Sequence, residues 1–224
     1  MVFELGAGTG EIGRHLAVLG NRYVGVDLSW PMLAVFRSKL ASDRRRSQSS
    51  MLVQAHADRT WPVTDGSVAI VFASRVAHLL EPGHVVAESR RVCRAGGCFV
   101  VGRVERTGMK KVLRQQREAI LVRRGLARAR SGGQRTKKLV ETFLAGGATP
   151  IPTRAVASWT VTTTAGQVIA AWEGMPTMAG RAVDPALGAE VLGELRGWAR
   201  ERFGSLDNPS AVSETYTLDG VRLL

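Results

Sequence analysis

A glycine-rich loop near the start of the chain constrains the fold more than any other feature. The segment Glu4-Leu5-Gly6-Ala7-Gly8-Thr9-Gly10 separates the apolar run 2–5 from the amphipathic run 11–19. Glycines in such a turn let the backbone approach a ligand that side chains would exclude, and the helix behind them offers free N–H groups. The pattern predicts a cofactor-binding loop between a strand and a helix.

The loop by itself leaves two kinds of cofactor open. Gly8, Gly10 and Gly13 satisfy the dinucleotide fingerprint G-x-G-x-x-G, which is a weak signal when it stands alone. Glu4, however, lies two positions before the first glycine. A carboxylate there would repel a pyrophosphate, whereas it would suit a cationic ammonium or sulfonium group.

Two further carboxylates end the next two predicted strands. Asp27 can accept hydrogen bonds from ribose hydroxyls, which fits either cofactor, and Asp58 follows the third strand. Taken singly, Asp27 is equally explained as a helix cap and Asp58 as a loop acid. The occurrence of all three acids at successive strand ends favours a cationic cofactor over a dinucleotide.

The first two-thirds of the chain alternates short apolar runs with amphipathic segments, which predicts βαβ units. We expect one domain of α/β class, with a Rossmann-like seven-stranded, mostly parallel sheet, helices on both faces and an antiparallel edge strand. Residues 1–105 would form the cofactor-binding core, and 106–224 the rest of the same domain, with substrate-side helices and the last two strands. The predicted strands are 2–5, 23–26, 51–57, 68–73, 98–104, 156–164 and 213–218, and the predicted helices are 11–19, 29–40, 82–94, 109–130, 137–145, 165–173 and 185–203.

These motifs resemble the class I S-adenosylmethionine-dependent methyltransferases, within the broad group that includes the quinone-biosynthesis methyltransferases. The resemblance covers residues 1–105, where Ala95-Gly96-Gly97 replaces the family's usual Pro-Gly-Gly. Besides the glycine loop, it rests on Gly25-Val26-Asp27-Leu28-Ser29 with Pro31-Met32-Leu33, on Ala57-Asp58 with Trp61-Pro62-Val63 and Asp65-Gly66-Ser67, and on Arg90-Arg91-Val92-Cys93-Arg94-Ala95-Gly96-Gly97.

The resemblance implies S-adenosyl-L-methionine as cofactor and S-adenosyl-L-homocysteine as product. Glu4 and the loop backbone would hold the methionine end, and Asp27 would bind the ribose hydroxyls. Asp58 would face the adenine amino group. Leu28 would lie beside the adenine, and Ser74 would line the place where cofactor and acceptor meet. The implied cofactor-binding residues are Glu4, Gly6, Ala7, Gly8, Gly10, Asp27, Leu28, Ala57, Asp58 and Ser74.

Methyl transfer requires alignment of donor and acceptor more than it requires a base. If the acceptor loses a proton, His78 is the best-placed base, because its segment leaves a central strand; packing on the next helix is the competing explanation. Arg75 either orients an anionic acceptor or faces solvent. Residues after Glu105 should form the acceptor pocket. An apolar wall there, or ordinary core packing, would use Met109, Trp159, Trp172, Met175 and Met178.

The acceptor itself is not specified by the sequence. We expect a small molecule methylated at oxygen, nitrogen or carbon. RNA is an alternative acceptor because the net charge is +12 and the pI is near 11.0. The basic residues concentrate in 44–46 and 123–138, whose composition is equally typical of solvated segments. An RNA amino-group methyltransferase would carry an Asn/Asp-Pro-Pro-Tyr-like tetrad after the fourth strand, where this chain has Ala73-Ser74-Arg75-Val76. A non-catalytic S-adenosylmethionine-binding protein is a further alternative.

Three remaining features concern location, metals and the N-terminus. The absence of a signal peptide or membrane span in the sequence predicts a cytoplasmic protein, and Cys93 and Cys98 are interpreted as buried free thiols rather than metal ligands. The chain begins at the first predicted strand, although relatives carry preceding helices that cover the cofactor. Either the basic helix 109–130, with the loop to 138, serves as a lid, or the sequence is truncated.

Overall fold

A seven-stranded sheet organises the fold. The structure is a computed structural model that describes residues 1–17, 22–42, 48–126, 132–175, 177–178, 181–182 and 184–224. A separate two-stranded sheet is formed by residues 177–178 and 181–182. In chain order the strands are β1 (Val2–Leu5), β2 (Tyr23–Asp27), β3 (Ser50–Gln54), β4 (Val68–Ser74), β5 (Cys93–Arg106), β6 (Thr149–Thr163), β7 (Thr177–Met178), β8 (Arg181–Ala182) and β9 (Ser210–Arg222).

The order of the main sheet is β3-β2-β1-β4-β5-β9-β6. Strands β1 to β5 pair in parallel, with Leu5 opposite both Val26 and Ala73 and with Asp27 opposite Gln54. The carboxyl ends of β1, β2, β3 and β4 therefore meet at one edge. The chain order reverses between β1 and β4, and such a switch point is where open α/β sheets bind ligands. The predicted mostly parallel seven-stranded sheet with an antiparallel edge is confirmed.

Helices connect these strands, and their caps follow from local sequence. Glu81 accepts hydrogen bonds from the backbone N–H groups of Gly83 and His84 at the start of the helix 82–92. Asp184 caps the start of the helix 185–203 in the same way. The helices are α1 (Gly13–Leu16), α2 (Trp30–Ala41), a 3-10 turn (Ala77–Leu79), α3 (Pro82–Val92), α4 (Gly108–Arg123), α5 (Gly132–Ala145), α6 (Ala165–Ala170) and α7 (Pro185–Phe203).

Two element boundaries differ from the sequence prediction for identifiable reasons. The predicted helix 109–130 ends at Arg123, because Gly125 adopts a φ of 67° and the N–H groups of Gly125 and Leu126 bond back to Val122 and Leu121. Strand β5 begins at Cys93 rather than residue 98. The Gly96-Gly97 pair, which precedes the predicted strand 98–104, lies inside β5, where the register with β4 shifts between Val68 and Ile70.

The other predicted boundaries differ less. The helix predicted over 137–145 begins at Gly132, and α6 ends at Ala170. Strand β3 stops at Gln54, whereas β6 and β9 are longer than predicted. Part of the predicted helix 11–19 lies outside the described residues.

Alternation along β1 separates two apolar layers. Phe3 and Leu5 belong to the larger core, which also includes Phe99 of β5 stacked on Phe143 of α5, their ring centroids 4.6 Å apart. Val2 points to the opposite face, where it joins a smaller cluster that contains Phe36. Helices thus cover both faces of the sheet, as predicted.

The contacts of the chain fall into two compact units. The first unit is 1–103, 132–154 and 217–224, and the second is 104–131 and 155–216. The second unit has its own core, in which Met109 and Leu113 of α4 lie in one cluster with Leu195 of α7. Met109 therefore packs in a core. The division of the chain at residue 105 into a cofactor-binding part and a remainder stays a prediction.

The structure shows the state of the two cysteines and the character of the helices. Cys93 and Cys98 are free thiols, and they are half-buried rather than buried. Burial raises the pKa of the Cys93 thiol to about 11. Among the helices in the described ranges, none is both long and apolar enough to cross a membrane.

Candidate functional site

The glycine loop turns sharply at the carboxyl end of β1. Gly6, Gly8 and Gly10 have φ angles of 66°, 54° and 78°. A Cβ atom on Gly10 would lie 2.1 Å from the ring of Phe36, whereas one on Gly8 would have no neighbour closer than the Gly6 carbonyl oxygen, at 4.0 Å. Gly10 is therefore required by packing, and the backbone at Gly8 is open to a ligand.

Asp27 joins the end of β2 to this loop. Its Oδ2 atom accepts a hydrogen bond from the backbone N–H of Gly8 at 2.9 Å, and its Oδ1 atom accepts one from the N–H of Ser29 at 2.8 Å. The N–H of Ala7 also donates to the carbonyl of Val26, at 2.9 Å. A carboxylate offers about four acceptor sites, so Asp27 can hold the loop and still accept from a ligand hydroxyl.

Glu4 lies beneath the loop rather than at its mouth. The residue is 2% exposed, and its Oε2 atom accepts a hydrogen bond from the hydroxyl of Tyr23. Burial raises the pKa of the carboxyl to about 7 against the opposing effect of the Tyr23 hydrogen bond, and the charge of Asp27 adds to the rise. Glu4 therefore titrates near neutrality.

Ala57 and Asp58 follow β3, and their contacts run to the segments beyond it. The Oδ1 atom of Asp58 accepts from the backbone N–H of Glu81 at 3.0 Å, and the Ala57 carbonyl accepts from the indole N–H of Trp61 at 2.8 Å. Asp58 is half-buried. As a loop acid, Asp58 therefore fixes the backbone at Glu81, the residue that precedes α3.

The end of β4 carries Ser74, Arg75 and His78. Arg75 has a φ of 61°, which is unusual for a residue with a side chain, and its N–H donates to the Gly102 carbonyl at 3.0 Å. Such strain of the backbone is common at functional sites. The Arg75 side chain is exposed, whereas Ser74 and His78 are half-buried. The strained turn places His78 on the 3-10 turn directly after the central strand.

An exposed apolar group follows Asp27. Leu28 is 64% exposed, and its carbonyl accepts a hydrogen bond from the Gln54 side chain at 3.0 Å, which fixes the backbone there. Trp30 and Met32 in the first turn of α2 are also exposed. Exposed large apolar side chains beside a polar cleft are typical of a ligand site.

Three residues that position the loop were missed by the sequence analysis. Tyr23 bonds to Glu4, Phe36 packs beneath Gly10, and the Lys39 ammonium donates to the carbonyl of Thr9 at 3.0 Å. All three resemble ordinary strand or helix residues in the sequence. Only their spatial neighbours identify them, so no sequence signal could have found them.

Within the described residues, no cluster of three or more His, Cys, Asp and Glu side chains could hold a metal ion. The polar groups at this edge are backbone N–H donors and separate carboxylate acceptors. That set suits an organic ligand with hydroxyls and a positive charge.

Residues 3–101, which contain this entire edge, match the family model of a methyltransferase domain. Over these residues, which are less than half of the chain, the sequence matches a methyltransferase domain, and the chain has the Rossmann-like fold of the class I S-adenosylmethionine-dependent methyltransferases. The match is to the broad methyltransferase domain and does not single out the quinone-biosynthesis group, so that narrower assignment stays a prediction. No curated protein matches the sequence.

Solved structures agree with this class at the level of the fold. A candidate methyltransferase from Bacillus halodurans is 16% identical with a TM-score of 0.61, over 99% of this chain and 91% of its own. The geranyl diphosphate C-methyltransferase of Streptomyces coelicolor, solved with S-adenosyl-L-homocysteine, is 12% identical with a TM-score of 0.54, over 100% and 71%. The cyclase SpnF is 18% identical with a TM-score of 0.57, over 99% and 74%. The methyltransferase fold thus also occurs in a protein that is named for a different reaction.

Proposed function

We propose that this methyltransferase binds S-adenosyl-L-methionine along the edge formed by residues 4–10, 27–28, 57–58 and 74–78, here called the cofactor edge. The observation that carries the proposal is the bond between Asp27 and the Gly8 N–H, which joins the strand-end acid to the open part of the loop. Asp27 would accept from the ribose hydroxyls, while the backbone of Gly6, Ala7, Gly8 and Gly10 would hold the methionine end.

The adenine would lie beyond the ribose, against the exposed side chain of Leu28. Covering this side chain removes apolar surface from water, which favours binding. Asp58 and Ala57 would bound the adenine on the other side, and Ser74 would line the place where the acceptor arrives. From its buried position Glu4 would act at the methionine end of the site through its hydrogen bond with Tyr23, and its carboxyl, whose pKa is about 7, would place negative charge beneath a cationic cofactor when it is ionised.

The bound cofactor supplies a methyl group on a sulfonium, which leaves as a neutral thioether when the acceptor atom attacks. The protein's own contribution is alignment of donor and acceptor and exclusion of water. Where the acceptor must lose a proton, His78 would accept it at an imidazole nitrogen. Its place after β4 supports that role, and packing against the following segment remains the competing explanation.

We further propose that the acceptor is a small molecule with a reactive oxygen, nitrogen or carbon. Ala73-Ser74-Arg75-Val76 at the end of β4 contains no side-chain amide or carboxylate that would hold the amino group of a nucleobase. The net charge of +12 is the observation that favours RNA as a second candidate. Fold similarity at this low identity does not discriminate between the two.

A labelled-methyl experiment separates these acceptors. The full chain is incubated with methyl-labelled S-adenosylmethionine and either a small-molecule extract of the source cells or their total RNA. We expect label in the small-molecule fraction, and less of it with Asp27→Ala at limiting cofactor. Label in RNA would instead support the RNA enzyme. Bound cofactor without any labelled product would support the non-catalytic binder.

A further inference from the structure

The second unit contains a cavity with an unusual set of charged groups. It has a volume of about 360 Å³, within the range of small-molecule sites. One side is apolar, with Val168, Ala171 and Trp172. The lining also contains four cations, Arg106, Lys110, Arg114 and Arg117, and we call the whole the basic cavity.

Helix periodicity brings three of these cations together. Lys110, Arg114 and Arg117 lie at intervals of four and three residues on α4, so their side chains share one face. Arg106 comes from the end of β5. Successive turns of α4 therefore hold three cations side by side, and the end of β5 adds the fourth.

Two carboxylates of the described residues form ion pairs with the lining cations. Glu214 is shared between Lys110, at 2.7 Å, and Arg106, at 3.4 Å. The nearest carboxylate of Arg114 is Glu118, at 3.4 Å. In the part of the chain that the structure describes, these ion pairs bring two carboxylates to three of the four cations, and Arg117 has no ion pair among them.

Arg117 is the cation with the least compensation. Its guanidinium lies 4.1 Å from the centre of the Trp172 ring, and its Nε atom is buried without a hydrogen-bond partner among the described residues. Burial, together with the nearby charge of Arg114, lowers the pKa of Arg117. The buried Nε atom is closed to solvent, but Arg117 lines the cavity, so the exposed part of its guanidinium can donate to an acceptor of a ligand there.

The remaining polar groups of the cavity also donate. The side-chain oxygen of Gln167 already accepts from the Thr163 hydroxyl at 3.1 Å and from the Thr164 N–H at 3.0 Å, which leaves its NH₂ group as a donor. Arginine and lysine can only donate. An acceptor-rich anion is the ligand that this lining matches.

We propose that the basic cavity binds a small organic anion, a phosphate ester or a carboxylate, whose apolar part lies against Trp172 and Val168. The guanidinium groups of Arg114 and Arg117 would bind the charged group, since planar arginine matches phosphate and carboxylate oxygens in pairs. This inference does not rest on the proposed function, because it concerns binding to the second unit and can be measured without S-adenosylmethionine.

Calorimetry with the full chain tests the proposal, with inorganic pyrophosphate, phosphate, phenyl phosphate and benzoate as probes. We expect pyrophosphate to bind and Arg117→Gln to weaken it at least tenfold. Arg200→Gln, which removes the same charge from an exposed position on α7, should change the affinity less than twofold. If Arg117→Gln does not fold, Arg117→Lys retains the charge without the paired donors and should still weaken binding several-fold. Comparison of phenyl phosphate with benzoate identifies which anionic group is preferred.

Three results would overturn the proposal. The first is the absence of binding by every probe, and the second is equal binding by the parent protein and the Arg117 variants. The third is tight binding of a single-stranded RNA that competes with pyrophosphate, since that would make the cavity part of a polyanion surface. Tighter binding of phenyl phosphate than of phosphate supports the apolar contact, and equal affinities would remove it. Cofactor affinity, measured separately in the same variants, keeps this result distinct from the proposed function.

Discussion

The cofactor edge and the basic cavity differ in which part of the chain forms them and in the charge of the ligand that they suit. The cofactor edge is formed by backbone geometry at strand ends, with the acids Glu4, Asp27 and Asp58 around it, and suits a cation. The basic cavity is formed by long side chains of α4 and suits an anion. The first type of site leaves a continuous signature in the sequence, and the second does not.

A substitution at Gly10 has the largest expected effect on this comparison. Gly10→Ala places a Cβ 2.1 Å from the Phe36 ring at a positive φ, so the free energy of unfolding should fall by roughly 2–5 kcal/mol. Gly193→Ala on α7 meets open space and should stabilise the protein by about 0.5–1 kcal/mol. Chemical denaturation measures both. Similar small effects at the two positions would mean that backbone geometry does not define the cofactor edge.

The pH dependence of stability isolates the buried acid. The pKa of Glu4 is about 7 in the folded state against 4.5 as its reference value, so the folded state binds the extra proton between these values. Its contribution to stability is therefore full below pH 4.5 and is lost as the pH rises through 7, by about 3 kcal/mol.

Glu4→Gln keeps an acceptor for the Tyr23 hydroxyl but does not titrate. The free energy of unfolding of this variant, relative to the parent, should rise between pH 5 and pH 8 by nearly that amount. Parallel stability curves for the two proteins would show that Glu4 is not a buried titrating group.

His78 tests whether the cofactor edge also carries proton transfer. Once a labelled acceptor that loses a proton is known, His78→Ala should lower turnover roughly a hundredfold with little change in cofactor affinity. His15→Ala, which removes an exposed imidazole from α1, serves as the control. Equal turnover of the His78 variant and the parent would assign His78 to packing.

The smallest expected effect concerns the stability of the basic cavity. Arg117→Met removes a cation–π contact but also a buried N–H donor that has no acceptor. These contributions are of similar size, so the free energy of unfolding should stay within about 1 kcal/mol of the parent value. A loss above about 3 kcal/mol would show that Arg117 is needed for folding, and that its lack of an acceptor is not a binding feature.

The contrast between the two sites explains which parts of the molecule were predictable. The loop, Asp27 and the parallel strands were predicted because each depends on residues that are neighbours in sequence. The partnership of Glu4 with Tyr23 was not predictable, because β2 meets β1 only in the folded sheet. Arg117 of α4 and Trp172, in the turn after α6, likewise meet only in the folded protein, so Trp172 was recognised only as one of several apolar candidates.

The substrate-side residues show the same limit. Trp159 and Met175 are exposed, whereas Met109 is buried in a core, and the side chain of Met178 lies outside the described residues. The sequence pattern alone therefore does not show which of these residues line a pocket. The lid predicted over 109–138 falls on two helices, α4 and α5, that belong to different units. Its role as a cover stays a prediction, and protection from hydrogen exchange on ligand binding would measure it.

The central claim is that the cofactor edge binds S-adenosylmethionine through Asp27. Calorimetry should show S-adenosyl-L-homocysteine binding at micromolar strength while NAD does not bind. Asp27→Ala should weaken that binding by about 1–3 kcal/mol, the size of a lost charge-assisted hydrogen bond. Glu201→Gln, which removes a negative charge from an exposed site on α7, should leave it unchanged. Tighter binding of NAD, or an Asp27→Ala variant with the parent's affinity for S-adenosyl-L-homocysteine, would contradict the account.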